Sequence, residues 1–191
     1  MKCGVLALQG AFREHREVLD DLGVDAVEVR EPHELDAVDL LFLPGGESTT
    51  MSKLLDTSGL RAPVAARLAA AMPVFGTCAG LILLAREVVD GRPDQRSFGV
   101  LDVRARRNAY GRQAESFEAP LDVEGLRGGP FPGVFIRAPG VDAVGPDVDV
   151  LASHEGRPVL VRHGVVWASS FHPELAHDLR IHQWFLREVG A

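Results

Sequence analysis

The segment VDLLFLP, residues 38–44, constrains the fold more than any other stretch of the sequence. It is almost wholly apolar and runs directly into two glycines, which indicates a short strand that ends in a tight turn. A strand without a polar side is buried on both faces, and such strands occur in parallel sheets flanked by helices. The segment therefore predicts an α/β protein built on a mostly parallel sheet.

The surrounding segments support this fold, because strand patterns alternate with helix patterns through the first half of the chain. Gly23 ends the first predicted helix, and Gly59 and Pro63 interrupt the second. The predicted strands are residues 2–8, 24–30, 38–44 and 72–77, and the predicted helices are residues 11–23, 51–71 and 79–90.

The second half has a different pattern, in which short strands are joined by turns rich in glycine and proline. It predicts antiparallel or mixed sheet added to the parallel core. We find no repeat or linker, so we expect one domain over residues 1–191, a flavodoxin-like sandwich of three layers. The predicted strands are residues 98–107, 115–123, 132–141, 148–156, 157–164 and 165–171, and the last helix is residues 174–190.

Composition and charge narrow the classes of partner. The 191 residues carry a net charge of −7, and no basic stripe marks a nucleic-acid surface. No apolar run approaches the roughly 18 residues of a membrane helix, and no signal-peptide pattern follows Met1. Two cysteines, Cys3 and Cys78, do not make a disulfide framework. We therefore expect a protein of the reducing cytoplasm that binds neither nucleic acid nor membrane.

The turn GTCAG places Cys78 between a predicted strand and a predicted helix. Such a turn lies at the carboxyl edge of a parallel sheet, where ligands bind. A helix that begins at the thiol favours the thiolate, and the N–H of Ala79 is available to an oxyanion. A free cysteine is also commonly a small buried side chain, and spacing alone does not decide between the two interpretations. Cys3, inside an apolar strand, is expected to belong to the core.

His172 is the candidate base for a Cys78 nucleophile. It follows an apolar strand and precedes Pro173 and Glu174, whose carboxylate is placed to orient the imidazole. The same Pro-Glu pair also suits the first turn of a helix, and both roles are compatible. The other six histidines lie in polar helical or loop segments and are expected to have no special role; they are His15, His33, His154, His163, His177 and His182.

A second glycine-rich turn, LPGGESTT at residues 43–50, follows the third strand. Gly45 and Gly46 allow backbone N–H groups to point at a ligand, and one of them is a second candidate oxyanion donor beside Ala79. A phosphate-binding loop and a plain helix cap at Ser48 are the alternatives. The lysine and spacing of a P-loop are absent, so a P-loop nucleotide site is not expected.

The GG loop, the cysteine turn and the late His-Pro-Glu together resemble class I glutamine amidotransferases. Six motifs in order further resemble one branch, the glutaminase subunits of pyridoxal 5′-phosphate synthases. Broader amidotransferases carry a glutamine where this chain has Ile82, which also favours that branch. The motifs are GVLALQGAFREH, LPGGESTTM, FGTCAGLILLA, RNAYGRQAESFEAPL, FIRAP and HPELAHDLRIHQWF.

The resemblance implies a fold, an activity and a partner. It implies hydrolysis of L-glutamine through a glutamyl thioester by Cys78, His172 and Glu174, with Gly46 and Ala79 as the oxyanion hole. It also implies delivery of ammonia to a separate (β/α)-barrel synthase subunit that makes pyridoxal 5′-phosphate, and it implies no cofactor or metal. The glutamine-binding residues that it implies are Gly46, Glu47, Ser48, Arg107, Ile136 and Arg137.

Two functions from other classes remain open at this point. A cysteine hydrolase or chaperone of the DJ-1/PfpI type also has a cysteine turn on an α/β sheet, but it usually has a histidine directly after the nucleophile, where this chain has Ala79. A non-catalytic binding module with the same fold is the other alternative, and an intact Cys78, His172 and Glu174 speak against it.

Overall fold

The structure, a computed structural model, describes residues 1–107, 109 and 116–190. Strands and helices alternate as far as β4, and short strands follow, as the sequence pattern predicts. The strands are β1 (Cys3–Leu6), β2 (Ala26–Val29), β3 (Leu40–Leu43), β4 (Val74–Thr77), β5 (Ala85–Val89), β6 (Leu101–Arg106), β7 (Ser116–Leu121), β8 (Phe131–Ile136), β9 (Gly140–Val144), β10 (Asp149–His154), β11 (Arg157–His163) and β12 (Val166–Ser169). The helices are α1 (Phe12–Asp21), α2 (Pro32–Asp36), α3 (Ser48–Thr57), α4 (Arg61–Ala69), α5 (Ala79–Leu84) and α6 (Arg180–Glu188), with a 3₁₀ turn at Pro173–Leu175.

A seven-stranded sheet forms the centre, in the order β10-β11-β12-β4-β3-β1-β2. The five strands from β12 to β2 run parallel to one another, and β10 and β11 extend the sheet antiparallel on one side. This confirms the predicted mostly parallel sheet with added antiparallel strands.

Apolar cores cover both faces of this sheet. In β3, Leu41 and Leu43 belong to the core that includes residues of α3, α4 and α5, whereas Leu40 and Phe42 belong to the core that includes residues of α1 and α6. All four side chains are fully buried. A three-layer arrangement therefore explains why this segment is apolar on both sides.

Two smaller sheets come from the second half of the chain. One has the order β5-β6-β9 and the other pairs β7 with β8. Within the described ranges, no helix has the length and apolar character that crossing a membrane requires.

The predicted helix over residues 79–90 is wrong in its second half. Helix α5 ends at Leu84, and Ala85–Val89 form β5, which pairs in parallel with β6. Because the six residues of α5 are all buried, the apolar run has no polar face to mark where the helix ends. Pairing of the β-branched end of the segment with β6 decides its conformation.

Two other predicted elements need correction near the end of the chain. The last strand, β12, is not part of an added antiparallel sheet, because it lies inside the central sheet in parallel with β4. The last helix begins at Arg180 and not at Glu174, which belongs to the separate 3₁₀ turn.

The carboxyl ends of three adjacent strands meet at one edge of the sheet. In the register of the sheet, Leu43 of β3 lies beside Gly76 of β4, and Thr77 of β4 lies beside Ser169 of β12. The segments that follow these three strands begin with the GG loop, Cys78 and the residues leading to His172. Sheet topology therefore brings together three motifs that are distant in the sequence.

Candidate active site

Cys78 occupies a sharp turn between β4 and α5. Its backbone has φ 51° and ψ −100°, a left-handed conformation that is rare for a residue with a side chain. The Cys78 N–H donates to the Ser169 carbonyl over 2.8 Å, which ties the turn to β12. Ala79 is the first residue of α5, so its N–H has no carbonyl partner within the helix. The turn thus presents a thiol and a backbone donor at the sheet edge.

His172 and Glu174 lie on either side of Pro173, where the 3₁₀ turn begins. Nδ1 of His172 lies 2.7 Å from Oε1 of Glu174. The His172 N–H donates to the carbonyl of Val134 in β8 over 2.8 Å, which fixes the backbone of the base. Both residues are 6% exposed, so the imidazole–carboxylate pair lies in the interior.

Electrostatic interactions favour a charged imidazole beside the thiol. Burial lowers the pKa of His172, but its hydrogen bonds and charge interactions with Cys78 and Glu174 outweigh burial and raise the pKa to about 10. Burial raises the pKa of Glu174, and the neighbouring His15 and His172 outweigh it, so the pKa falls to about 2. The surroundings of His172 therefore favour its charged imidazolium form beside the thiol at neutral pH.

The GG loop packs against both Cys78 and His172. A Cβ at Gly45 would overlap Cε1 of His172 and lie 3.2 Å from Cβ of Cys78, so only glycine fits there. The side chain of Gln9 accepts a hydrogen bond from the N–H of Glu47 over 2.8 Å. The segment that follows β1 therefore supports the loop that contains the second candidate oxyanion donor, Gly46.

The carboxylate of Glu47 caps α3. It accepts from the N–H groups of Thr49 and Thr50 at 3.0 and 2.7 Å, and Ser48, which the alternative interpretation made the cap, is buried as the first helical residue. Burial raises the pKa of Glu47, but the hydrogen bonds from both threonines outweigh it and lower the pKa to about 2. Arg107 lies 3.2 Å from the same carboxylate.

Ile136 and Arg137 lie at the end of β8, opposite Cys78. The thiol is 3.9 Å from the carbonyl oxygen of Ile136. Arg137 has φ 43°, and its side chain is exposed. The turn after β8 thus presents a cationic side chain at the mouth of the site.

One cavity of about 380 Å³ joins these parts. Its lining includes every residue predicted to bind glutamine, together with Cys78, Ala79 and His172. Glu174 does not line it and lies behind His172, as expected of a residue that acts through the base. The volume is in the range of small-molecule sites.

Sequence reasoning missed two parts of the site. His15 and His182 were expected in polar surroundings, but both are fully buried, and His15 faces Glu174. Nε2 of Gln95 donates a hydrogen bond to Ser48 Oγ over 3.0 Å, and Oε1 of Gln95 accepts one from Nη1 of Arg107 over 3.3 Å. The REH of the first motif was the only signal for His15, and nothing in the sequence singled out Gln95.

Other sequence predictions at the site have a mixed outcome. Cys3 is fully buried in β1, as expected. Most of the motif RNAYGRQAESFEAPL between Arg107 and Ser116 lies outside the described residues. Among those that are described, no group of three or more His, Cys, Asp or Glu side chains is arranged to hold a metal ion.

The fold and this edge of the sheet define a class, the glutamine amidotransferases. Residues 5–191 match the SNO glutamine amidotransferase family. The chain belongs to that family.

Relatives of known name cover the whole chain. It is 56% identical to a protein of Acidothermus cellulolyticus named pyridoxal 5′-phosphate synthase subunit PdxT, over all of this chain and 94% of the relative. It is also 56% identical to the protein of the same name from Salinispora arenicola, over 98% of this chain and 96% of the relative.

Solved structures give the same class. A crystal structure of a glutamine amidotransferase superposes with a TM-score of 0.93 at 53% identity, covering 99% of both chains. A putative GMP synthase protein from Thermoplasma acidophilum has a TM-score of 0.69 at 20% identity, covering 98% of this chain and 93% of that one. The second likeness extends the shared fold to a distant protein.

Proposed function

We propose that this chain hydrolyses L-glutamine to L-glutamate and ammonia, and that it supplies the ammonia to the synthase subunit that makes pyridoxal 5′-phosphate. The observation that carries the proposal is the meeting of Cys78, on its left-handed turn, with His172 in one cavity, where Glu174 lies behind His172 and contacts its Nδ1. The names of the relatives support the synthase as destination. We also propose that residues 1–191 act as one glutaminase domain and that its compartment is the cytoplasm.

The first chemical step is attack of the Cys78 thiolate on the side-chain amide carbon of glutamine. The C–S bond forms as the carbonyl π electrons move onto oxygen, where the N–H groups of Ala79 and Gly46 stabilise the negative charge. The imidazolium of His172 then gives its proton to the amide nitrogen, and ammonia leaves as the C–N bond breaks. A glutamyl thioester on Cys78 remains.

Water completes the reaction. His172, now neutral, takes a proton from water while the oxygen attacks the thioester carbon. The C–S bond breaks, glutamate leaves, and the thiolate and imidazolium are restored. Glu174 holds Nδ1 of His172 throughout, so that Nε2 is the nitrogen that exchanges protons.

Recognition of glutamine is assigned to the cavity walls. The carboxylate at the α-carbon needs a cation, and among the described residues Arg107 and Arg137 are the arginines that line the cavity. Arg107 is held by Glu47, Thr49 and Gln95, whereas Arg137 lies exposed at the rim. Backbone groups of Gly46, Ser48 and Ile136 complete the proposed contacts.

Release of glutamate tests the proposal directly. The full chain, assayed alone and with the (β/α)-barrel synthase subunit, should release glutamate and ammonia in equal amounts. Cys78→Ala should remove this activity with the fold intact, because the nucleophile is lost. Cys3→Ala, in the core strand β1, is the matched control and should keep the activity.

Other outcomes have clear meanings. Undiminished glutamate release by Cys78→Ala would contradict the thioester mechanism. Binding of glutamine without hydrolysis, even with the synthase subunit present, would favour the non-catalytic binding module. Family membership already favours an amidotransferase over the DJ-1/PfpI-type alternative.

A further inference from the structure

A buried polar chain, which the mechanism above does not use, lies behind Glu174. It consists of His182 on α6, His15 on α1 and Thr77 at the end of β4, and all three residues are 0% exposed. Buried polar side chains usually satisfy a specific partner. The partner at the end of this chain is the carboxylate of Glu174.

The distances define a continuous path. Nε2 of His182 lies 3.1 Å from Nδ1 of His15, and Nε2 of His15 lies 3.1 Å from Oγ1 of Thr77. The Thr77 hydroxyl donates to Oε1 of Glu174 over 3.4 Å. His15 Nε2 also faces the other carboxylate oxygen, Oε2, at 3.5 Å. That oxygen has no hydrogen-bond partner among the described residues.

Hydrogen bonding at the two ends fixes where the protons lie. Nδ1 of His182 is buried without a partner in the described part of the chain, so a proton there would be an orphaned donor. The proton of His182 is therefore on Nε2 and is donated to Nδ1 of His15. His15 then carries its own proton on Nε2, toward Thr77 and Glu174.

The reverse arrangement is unfavourable at the carboxylate. A proton on Nδ1 of His15 would leave the lone pair of Nε2 facing the negative Oε2 of Glu174. That lone pair would also accept the hydrogen bond of the Thr77 hydroxyl, which then could not donate to Oε1 of Glu174. Both ends of the path thus favour the same direction of hydrogen-bond donation, from His182 toward Glu174.

The surroundings of both histidines favour their neutral form. Burial is the largest influence on each and lowers the pKa of His15 and His182, the latter to about 3. The charged or titratable groups that act on His15 are Glu14 on its own helix, Glu174 and His172 at the 3₁₀ turn, and His182 on α6. A neutral donor can orient Glu174 without removing the negative charge that His172 needs.

We propose that His15 is a positioning residue for catalysis: it holds the Glu174 carboxylate through Thr77, and its Nε2–H faces Oε2, so that Oε1 stays on Nδ1 of His172. His182 sets the tautomer that lets His15 do so. This inference rests on the proposed glutaminase function. It assigns a role to the histidine of the REH motif, which does not line the cavity.

Removal of the donor should affect turnover and not binding. In His15→Leu, glutaminase kcat should fall about 10- to 100-fold, the equivalent of losing one hydrogen bond to a charged group, with KM for glutamine within about twofold. The alkaline limb of the kcat profile should move to lower pH, because a loosely held Glu174 supports the His172 imidazolium less. His15→Gln, whose amide retains a donor, should recover most of the turnover.

Two further variants separate positioning from packing. Thr77→Val removes the hydroxyl at nearly constant volume, and its effect should be less than additive with that of His15→Leu. His154→Leu is the control: this histidine packs against Phe117 and Phe135 with ring centroids 5.4 and 5.5 Å away, and it lies on β10, which β11 and β12 separate from β4 in the central sheet. It should keep the kcat and the pH profile of the unaltered chain.

A readout independent of glutamine turnover keeps the two proposals distinct. Iodoacetamide alkylation of Cys78, located by peptide mass spectrometry, should be slower at pH 7 in His15→Leu than in the unaltered chain and should recover in His15→Gln. This result is expected even if the chain releases no glutamate, in which case only the proposed function fails. Unchanged alkylation and kcat in a folded His15→Leu, or equal losses in the Leu and Gln variants in step with melting temperature, would overturn the positioning role.

Discussion

Nδ1 of His172 lies 2.7 Å from Oε1 of Glu174, although one of the two side chains lines the cavity and the other does not. The two residues flank Pro173 on one 3₁₀ turn, so their separation is set by local backbone and not by the docking of distant segments. The nucleophile, in contrast, comes from a different strand. The base and its carboxylate should therefore move together as one unit relative to Cys78.

The charge of Glu174 should matter more than its shape. Glu174→Gln retains the volume but removes the negative charge that supports the imidazolium, so kcat should fall by up to about 10⁴-fold, the cost of the comparable change in a serine triad. Steady-state kinetics should show little change in KM. Glu118→Gln, an exposed residue of β7, is the control and should behave as the unaltered chain. Full turnover in Glu174→Gln would reduce this residue to a structural part of the 3₁₀ turn.

Arg107 should contribute to glutamine affinity. Arg107→Ala removes a guanidinium from the cavity and should weaken glutamine binding by about 1.5–3 kcal/mol, the range for a hydrogen bond to a charged group. Calorimetry of glutamine binding to the Cys78→Ala background measures this without turnover. Arg106→Ala is matched, since the adjacent Arg106 pairs only with Asp90 and Asp142 among the described residues. Equal affinity in both variants would contradict the assigned recognition site.

The contact between Gly10 and Gly45 should be essential for turnover. A Cβ at Gly10 would overlap the carbonyl oxygen of Gly45 and lie 2.9 Å from its carbonyl carbon, so Gly10→Ala must displace the loop that contains Gly46, the proposed oxyanion donor. Loss of one such donor costs about 10²- to 10³-fold in kcat. Gly23→Ala also has a positive φ but has nothing within 4 Å of the new Cβ, so it should cost stability and leave kcat unchanged. Similar kcat values for the two variants would argue against a role for this contact.

Stability should fall on mild acidification, partly because of His182. Burial lowers its pKa from 6.5 to about 3, so between these values the unfolded chain binds a proton that the folded chain does not. The free energy of unfolding therefore decreases as pH falls from about 6.5, at up to about 1.4 kcal/mol per pH unit for this group. Urea unfolding at pH 7 and pH 5 should show a smaller difference in His182→Leu than in the unaltered chain. The exposed His163→Leu should leave that difference as it is.

The sequence predicted the parts of the fold that depend on local patterns. The apolar run 38–44, the cysteine turn and the strand before His172 each carry a local signal, and parallel topology then places their ends at one edge. The resemblance supplied the roles of residues such as Glu47 and Arg137, and the cavity lining includes both of them.

The parts that could not be predicted depend on tertiary contacts. The pattern of α1 identifies a helix with an apolar face, but it does not show that His15 on that helix lies against Thr77 and Glu174. Likewise, the segment Ala85–Val89 follows the apolar run of α5 with no glycine or proline between them, and its pairing with β6 makes it a strand. In each case the deciding partner is distant in the sequence, where periodicity carries no information.

The contact of Gly10 with Gly45 has a consequence for changing what this protein accepts. Backbone packs against backbone at this contact, between the segment that follows β1 and the loop that faces the thiol. No change of side-chain rotamer can therefore make room between them. Engineering of specificity therefore has little scope at the base of the cavity, whereas Ile82, Pro139 and Leu175 on its sides offer side chains that can be exchanged one at a time. A library of variants confined to those three positions should alter which amide substrate is preferred, while the arrangement of Cys78 and His172 stays unchanged.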